Sequence, residues 1–81
     1  MTDEIILVYA TSWCFDCRRA RMFLDQHSIP YRWIDIDHDK DGEQLVKQTN
    51  RGFRSVPTIV FPDGRILVEP SDQELAAAFQ K

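Results

Sequence analysis

Unbroken apolar runs and amphipathic stretches alternate along the chain, and each pattern predicts a different element. Ile5-Ile6-Leu7-Val8-Tyr9-Ala10 is a continuous run of mostly branched residues, the pattern of a central strand buried on both faces of an α/β sheet. Thr11-Ser12-Trp13 follows as a loop. From near Cys14 to near His27 the period becomes helical: Cys17, Ala20, Phe23, Leu24 and His27 share one face, and Arg18, Arg21 and Asp25 fall off it. Ile29-Pro30 ends that helix. Tyr31 to Ile36 alternates and is aromatic and branched, which predicts a second strand. Asp37 to Asp41 reads as an acidic loop, with Asp41 capping a short helix that runs to about Asn50 and turns Leu45 and Val46 inward; Gly52 terminates it. Pro57-Thr58-Ile59-Val60-Phe61 predicts a third strand, Pro62-Asp63-Gly64 a tight turn, and Arg65-Ile66-Leu67-Val68 the returning strand. Ser71-Asp72-Gln73-Glu74 is a capping box for a last helix carrying Leu75, Ala76, Ala78 and Phe79.

The predicted order is β-α-β-α-β-β-α. A helix separates the first two strands, so they are expected to be parallel with a right-handed crossover, and the last two to form an antiparallel hairpin. Helices then cover both faces of a mixed four-stranded sheet, an arrangement that resembles the minimal thioredoxin fold.

Length and composition narrow the picture. The 81 residues suit a single small domain spanning residues 1–81, and a 43% hydrophobic content supports a packed core rather than disorder. The formal charge of -3 argues against a nucleic-acid partner, and the basic residues Arg18, Arg19 and Arg21 cluster only locally. The start, Met1-Thr2-Asp3-Glu4, is acidic where a signal peptide would be basic, and the run from Ile5 to Ala10 is too short to span a bilayer. A cytoplasmic location with no membrane partner is the expectation. Two cysteines three positions apart do not make a secreted disulfide framework; in a cytosolic chain they serve redox chemistry or a metal.

Trp13-Cys14-Phe15-Asp16-Cys17 lies directly after the buried strand and opens the first helix. A helix N-terminus carries unpaired N–H groups and partial positive charge, so a sulfur placed there is stabilised as thiolate, the nucleophilic form. Cys17 lies one turn inward, within reach to close a disulfide. The pair suits attack by Cys14 on a disulfide, a mixed-disulfide intermediate, and release by Cys17. Alternatives are two cysteines that only pack in the core, a mononuclear metal site, and an iron–sulfur cluster shared between two chains. His27 and His38 do not supply zinc-finger spacing, so no metal is assigned to one chain. Asp37-His38-Asp39-Lys40-Asp41-Gly42 looks like the opening of a calcium loop. Gln48 stands where such a loop needs a bidentate Glu, and a solvated loop is the simpler reading.

Thr11-Ser12-Trp13-Cys14-Phe15-Asp16-Cys17, then Arg54-Ser55-Val56-Pro57-Thr58, Asp63-Gly64 and Pro70-Ser71 resemble the glutaredoxin family over nearly the whole chain, most of all its mycoredoxin branch. The resemblance implies a thiol–disulfide oxidoreductase of cell redox homeostasis and electron transport. It implies a monomer with no tightly bound cofactor and a low-molecular-weight thiol, mycothiol or glutathione, as co-substrate. It implies a cis Pro57 beside the reactive cysteine, exposing the Val56 backbone to pair with an extended thiol substrate. It places the far end of the small thiol near Ser71 and Asp72, where N–H groups suit a carboxylate and Asp72 an ammonium. Ser71 is also accounted for as a helix cap. Arg54 is placed to meet a substrate carboxylate or to lie solvated, Trp13 flanks the sulfur and either lines the site as a substrate contact or shields the core, and Phe15 is a further candidate substrate contact. Val68-Glu69-Pro70 stands where glutathione-using members carry Gly-Gly. Asp16 opposes charge on the thiolate, offset by Arg18 and Arg19, or helps deprotonate Cys17. Tyr31 and Trp33 read as sheet-packing residues, and His27 as a residue favoured at a helix C-terminus.

Three activities follow for comparison. One is reduction of mixed disulfides between proteins and the small thiol. Another is direct reduction of protein disulfides, as an electron donor to a reductase. The third is cluster binding by a dimer.

Overall fold

A computed structural model describes residues 5–79. Strand β1 (Ile6–Ala10) leads into helix α1 (Phe15–Gln26), and β2 (Tyr31–Asp35) into α2 (Lys40–Thr49). Strands β3 (Thr58–Val60) and β4 (Ile66–Val68) form the hairpin before α3 (Asp72–Ala78). The sheet order is β2-β1-β3-β4. β1 runs parallel to β2 and antiparallel to β3, and β4 completes the hairpin antiparallel to β3. Val8, at the centre, faces Trp33 on one side and Ile59 on the other.

The continuous apolar run is explained by this central position. Ile6, Val8 and Ala10 point to one face, packing with Cys17, Ala20 and Leu24 of α1, Ile59, Phe61, and Leu75 of α3. Tyr9 points to the other, joining Ile36 and Val46 of α2 with Leu7 and Ile34 beside them. A strand covered on both faces needs apolar residues at successive positions rather than alternate ones. Leu24 and Leu75 are wholly buried, each stabilising the fold by about 1.5–3 kcal/mol.

Three boundaries differ from expectation. Helix α2 starts two residues earlier than the Asp41 cap would have it: Asp39 is the N-cap, and its Oδ1 accepts the Gly42 N–H at 2.9 Å. Gly42 and Val46, four apart, then share the buried face. A side chain at Gly42 would meet Ile34 Cγ2 at 3.0 Å and Tyr9 Cδ1 at 3.3 Å, so glycine is what lets the helix lie this close to the sheet. Strand β3 omits Pro57 and Phe61. His27 is exposed, where the helical period put it on the buried face: as C-cap residue it leaves the helix, and its ring stacks on Phe23 at 4.1 Å. The turn at Pro62-Asp63-Gly64 is as expected, with Gly64 at φ 96°.

Candidate active site

The site forms where β1 ends and α1 begins. Cys14 is the N-cap of α1, with extended backbone (φ -83°, ψ 122°), and its sulfur accepts the Cys17 N–H at 3.1 Å. Its carbonyl accepts the Arg18 N–H at 3.1 Å, so the first turn closes directly onto this residue. Cys14 is half-buried and Cys17 fully buried, and both are free thiols. Burial is the main force that pushes the Cys17 thiol up to about 12. Its hydrogen bond with Cys14 adds to this, a backbone hydrogen bond from Thr11 opposes it, and the charges of Cys14 and Asp16 raise it further. Asp16 forms an ion pair with Arg19 at 3.6 Å, one turn on, so Arg19 rather than Arg18 offsets its charge.

The Val56–Pro57 peptide is cis, as the family resemblance implied. The Val56 carbonyl oxygen lies 3.8 Å from Cys14 Sγ. Neighbouring bonds fix this loop: the Glu69 N–H donates to the Pro57 carbonyl at 2.8 Å, Thr58 Oγ1 donates to the Ser55 carbonyl at 2.7 Å, and Asn50 Nδ2 donates to Thr58 Oγ1 at 3.2 Å.

Trp13 is 66% exposed, but its indole is held. Nε1–H donates to Asp37 Oδ2 at 2.8 Å. The other oxygen of Asp37 accepts from Arg54 Nη2 at 2.6 Å, and Arg54 Nε donates to Glu43 Oε2 at 2.7 Å. Arg54 first and Trp13 second hold the Asp37 carboxyl below the usual carboxylate range, and the Arg54 guanidinium is raised in return. Arg54 is therefore neither free for a substrate carboxylate nor simply solvated: two carboxylates already hold it. The acidic loop likewise has work beyond solvation, since Asp37 joins the Trp13 loop to the Arg54 loop. The sequence held a signal for this. Ala10 and Asp35 are partners at the ends of parallel strands, so the residues just beyond them, Trp13 and Asp37, emerge side by side.

Around α3 the capping box is complete. Ser71 Oγ accepts the Glu74 N–H at 3.1 Å, and Glu74 Oε1 accepts the Ser71 N–H at 2.9 Å. Asp72 is paired with Arg19 Nη1 at 2.7 Å, and Arg19 Nη2 also donates to the Pro70 carbonyl at 3.0 Å. Arg19, in sequence one of a local basic cluster beside Asp16, is the link between α1 and the start of α3. The structure thus brings Trp13, Cys14, Cys17, Val56, Pro57 and Arg54 to one end of the sheet. Phe15, Ser71 and Asp72 stand on the α1–α3 side. Among the described residues no three His, Cys, Asp or Glu side chains group as a metal site, and no helix is long and apolar enough to cross a membrane.

The sequence model of the glutaredoxin family matches residues 6–67. The chain belongs to the glutaredoxin family. It is similar to a glutaredoxin-family protein of Mycobacterium tuberculosis, with 37% identity over 81 residues, all of this chain and 96% of the relative. It is also similar to mycoredoxin 1 of Corynebacterium glutamicum, with 36% identity over 75 residues, 93% of this chain and 92% of the relative. In fold it resembles a mutant of the thioredoxin-like protein BC3987, with TM-score 0.80 and 24% identity over 93% of this chain and 99% of the other. The glutaredoxin of Archaeoglobus fulgidus has TM-score 0.74 and 22% identity over 94% and 86%. These two structures show the thioredoxin-like fold. As a glutaredoxin the chain is a thiol–disulfide oxidoreductase, of a family that works with a low-molecular-weight thiol.

Proposed function

We propose that this glutaredoxin reduces mixed disulfides between proteins and a low-molecular-weight thiol, with Cys14 attacking and Cys17 resolving. The observation that carries this reading is the unequal placement of the two sulfurs: Cys14 is accessible and caps α1, while Cys17 is buried behind it and its thiol is pushed up to about 12. At neutral pH Cys17 keeps its proton, so attack starts from Cys14.

The Cys14 thiolate attacks the small-thiol sulfur of the mixed disulfide. A bond forms between the two sulfurs, the bond to the protein sulfur breaks, and the protein leaves as thiolate and takes up a proton. The Cys14 adduct is then cleared in one of two ways. A second molecule of the small thiol attacks, releasing the small-thiol disulfide and the Cys14 thiolate. Alternatively Cys17 loses its proton and attacks Cys14, releasing the small thiol and leaving a Cys14–Cys17 disulfide for an external reductant.

Trp13, Phe15, Val56, Pro57, Arg54, Ser71 and Asp72 form the substrate rim in this reading. The Val56 backbone, 3.8 Å from Cys14 Sγ at its carbonyl, suits pairing with an extended substrate. Arg54 acts through its clamp on Asp37 and Trp13, and Asp72 reaches an ammonium only by sharing with Arg19. Val68-Glu69-Pro70, in place of Gly-Gly, favours mycothiol over glutathione. The protein acts as a cytoplasmic monomer of one domain, with no nucleic-acid or membrane partner.

The test uses reduced Cys17→Ser protein, exposed separately to glutathione disulfide and mycothiol disulfide, with intact mass and peptide mapping as readout. One adduct on Cys14, forming faster with one disulfide, supports the reading and names the small thiol. No adduct with either, on a protein whose thiol still titrates, turns the assignment to direct protein-disulfide reduction or cluster binding.

A further inference from the structure

Beside the reactive sulfur, a groove of about 420 Å³ runs along α1 toward the start of α3. Its floor is apolar: Phe15 is 72% exposed, Met22 is 60% exposed, and Phe23 is half-buried beside Met22. Seven residues apart on one helix, the exposed Phe15 and Met22 side chains share a face. The charges along the walls are unequal. Arg18, Arg19 and Asp72 line it, one positive charge in excess, and Asp16, the second carboxylate on Arg19, lies outside the lining. Arg18, one turn from Cys14, forms no ion pair or side-chain hydrogen bond among the described residues. The groove therefore offers an apolar floor and an uncompensated cation, on a chain whose net charge is -3.

Its length also matters. From Phe15 to Gln26, the ends of its lining on α1, the rise is about 16 Å at ~1.5 Å per residue. That span equals about five residues of extended peptide at ~3.3 Å each. It suits a stretch of polypeptide, whereas a small thiol bonded to Cys14 occupies the end nearest the sulfur.

Resting on the exchange reaction proposed above, we propose that this groove receives an extended segment of the protein half of the mixed disulfide. The segment is one in which apolar residues and Asp or Glu flank the modified cysteine. Its apolar side chains cover Phe15 and Met22, and its carboxylates meet Arg18. This makes Arg18 and Met22 specificity-determining residues for the protein target, separate from the groups that hold the small thiol.

The test uses two synthetic peptides of equal length, each with one cysteine joined to 2-mercaptoethanol through a disulfide. Both carry the same leucines beside that cysteine, and they differ only in two Asp or two Lys residues. The rate for each peptide is divided by the rate for bis(2-hydroxyethyl) disulfide, which is too small to reach the groove. At low ionic strength the Asp peptide is expected to react about threefold to fivefold faster than the Lys peptide, as one or two exposed charge pairs allow. Arg18→Gln brings the ratio close to one, added salt does the same, and Met22→Glu slows the Asp peptide more than the Lys peptide. Equal rates for the two peptides in the unmodified protein, with normal turnover of the small disulfide, overturn the groove assignment and leave the exchange chemistry standing. So does a ratio that persists in Arg18→Gln, or a preference for the Lys peptide. Failure to turn over bis(2-hydroxyethyl) disulfide overturns the exchange reading itself, and the groove assignment with it.

Discussion

Helices α1 and α3 both begin at a side chain that accepts an N–H from the first turn, Cys14 in one and Ser71 in the other. At α3 the cap is complete: a hydroxyl accepts from Glu74, and the Glu74 carboxylate returns the bond to the Ser71 N–H. The positive end of that helix meets a full negative charge and has little left to ask for. At α1 the acceptor is a sulfur, a poor acceptor as a neutral thiol and a good one as a thiolate. The first carboxylate of α1, Asp16, is drawn to Arg19. One helix end is finished for stability. The other is capped by a sulfur, with Cys17 where α3 has its returning carboxylate. The two ends share the cap geometry and differ in the capping atom and in the residue three positions on, Glu74 at α3 and Cys17 at α1.

Exchanging those atoms has the largest expected effect. Cys14→Ser installs a standard hydroxyl cap on α1, so disulfide exchange falls by more than about a thousandfold because a hydroxyl is a far weaker nucleophile than a thiolate. Thermal unfolding is expected to show stability retained, or raised by up to about 1 kcal/mol. A fall in stability equal to that of a lost cap would break the comparison.

Next in size is the pH response of the buried partner. Cys17 ionises near 9.0 when unfolded and is pushed up to about 12 when folded. A raised acid contributes stability that is whole below the unfolded value and is lost as pH rises through the folded one. The reduced protein is expected to lose about 1.4 kcal/mol for each pH unit between about 9 and about 12. Denaturant titrations of the unmodified protein and Cys17→Ala check this. The difference between them isolates Cys17 from Tyr9, whose hydroxyl burial also pushes upward.

Smaller still is the loss from Ser71→Ala, about 1 kcal/mol, with the rate at which iodoacetamide labels Cys14 left as it was. Smallest is the effect of Asp37→Ala, which frees Trp13 and leaves Arg54 held by Glu43 alone. It is expected to lower kcat/KM for a mixed disulfide by about threefold, as exposed polar contacts do. The Trp13 indole N–H resonance should move upfield. In the unmodified protein that resonance should hold steady from neutral pH into the mildly acidic range. A depressed carboxyl keeps its charge there, and the clamp loosens only as pH falls below the usual carboxylate range.

The elements were legible because each carries its own periodicity and cap. The apolar run from Ile5 to Ala10 predicts the central strand, observed at Ile6–Ala10, and Ser71-Asp72-Gln73-Glu74 predicts the cap of α3. The site was legible where it is local: Cys14 caps α1 and Cys17 lies in its first turn. It was illegible where it depends on distant pairing. Arg54 could not be distinguished from a solvated arginine until α2 brought Glu43, and the end of β2 brought Asp37, to within hydrogen-bond reach. Arg19 and Asp72, fifty-three positions apart, meet only because α1 and α3 pack on the same face of the sheet. The Asp39 cap was missed because two nearby aspartates, Asp39 and Asp41, are equal as cap residues in sequence. The close contact of Gly42 with Tyr9 and Ile34 decides between them.

The most direct test of the unequal sulfurs is alkylation of the reduced, unmodified protein by iodoacetamide at a series of pH values, with peptide mapping of each cysteine. Cys14 is expected to label rapidly at neutral pH while Cys17 stays unmodified until the protein is strongly alkaline or unfolded. Labelling of Cys17 first, or of both at equal rates at neutral pH, would contradict the assignment of nucleophile and reserve.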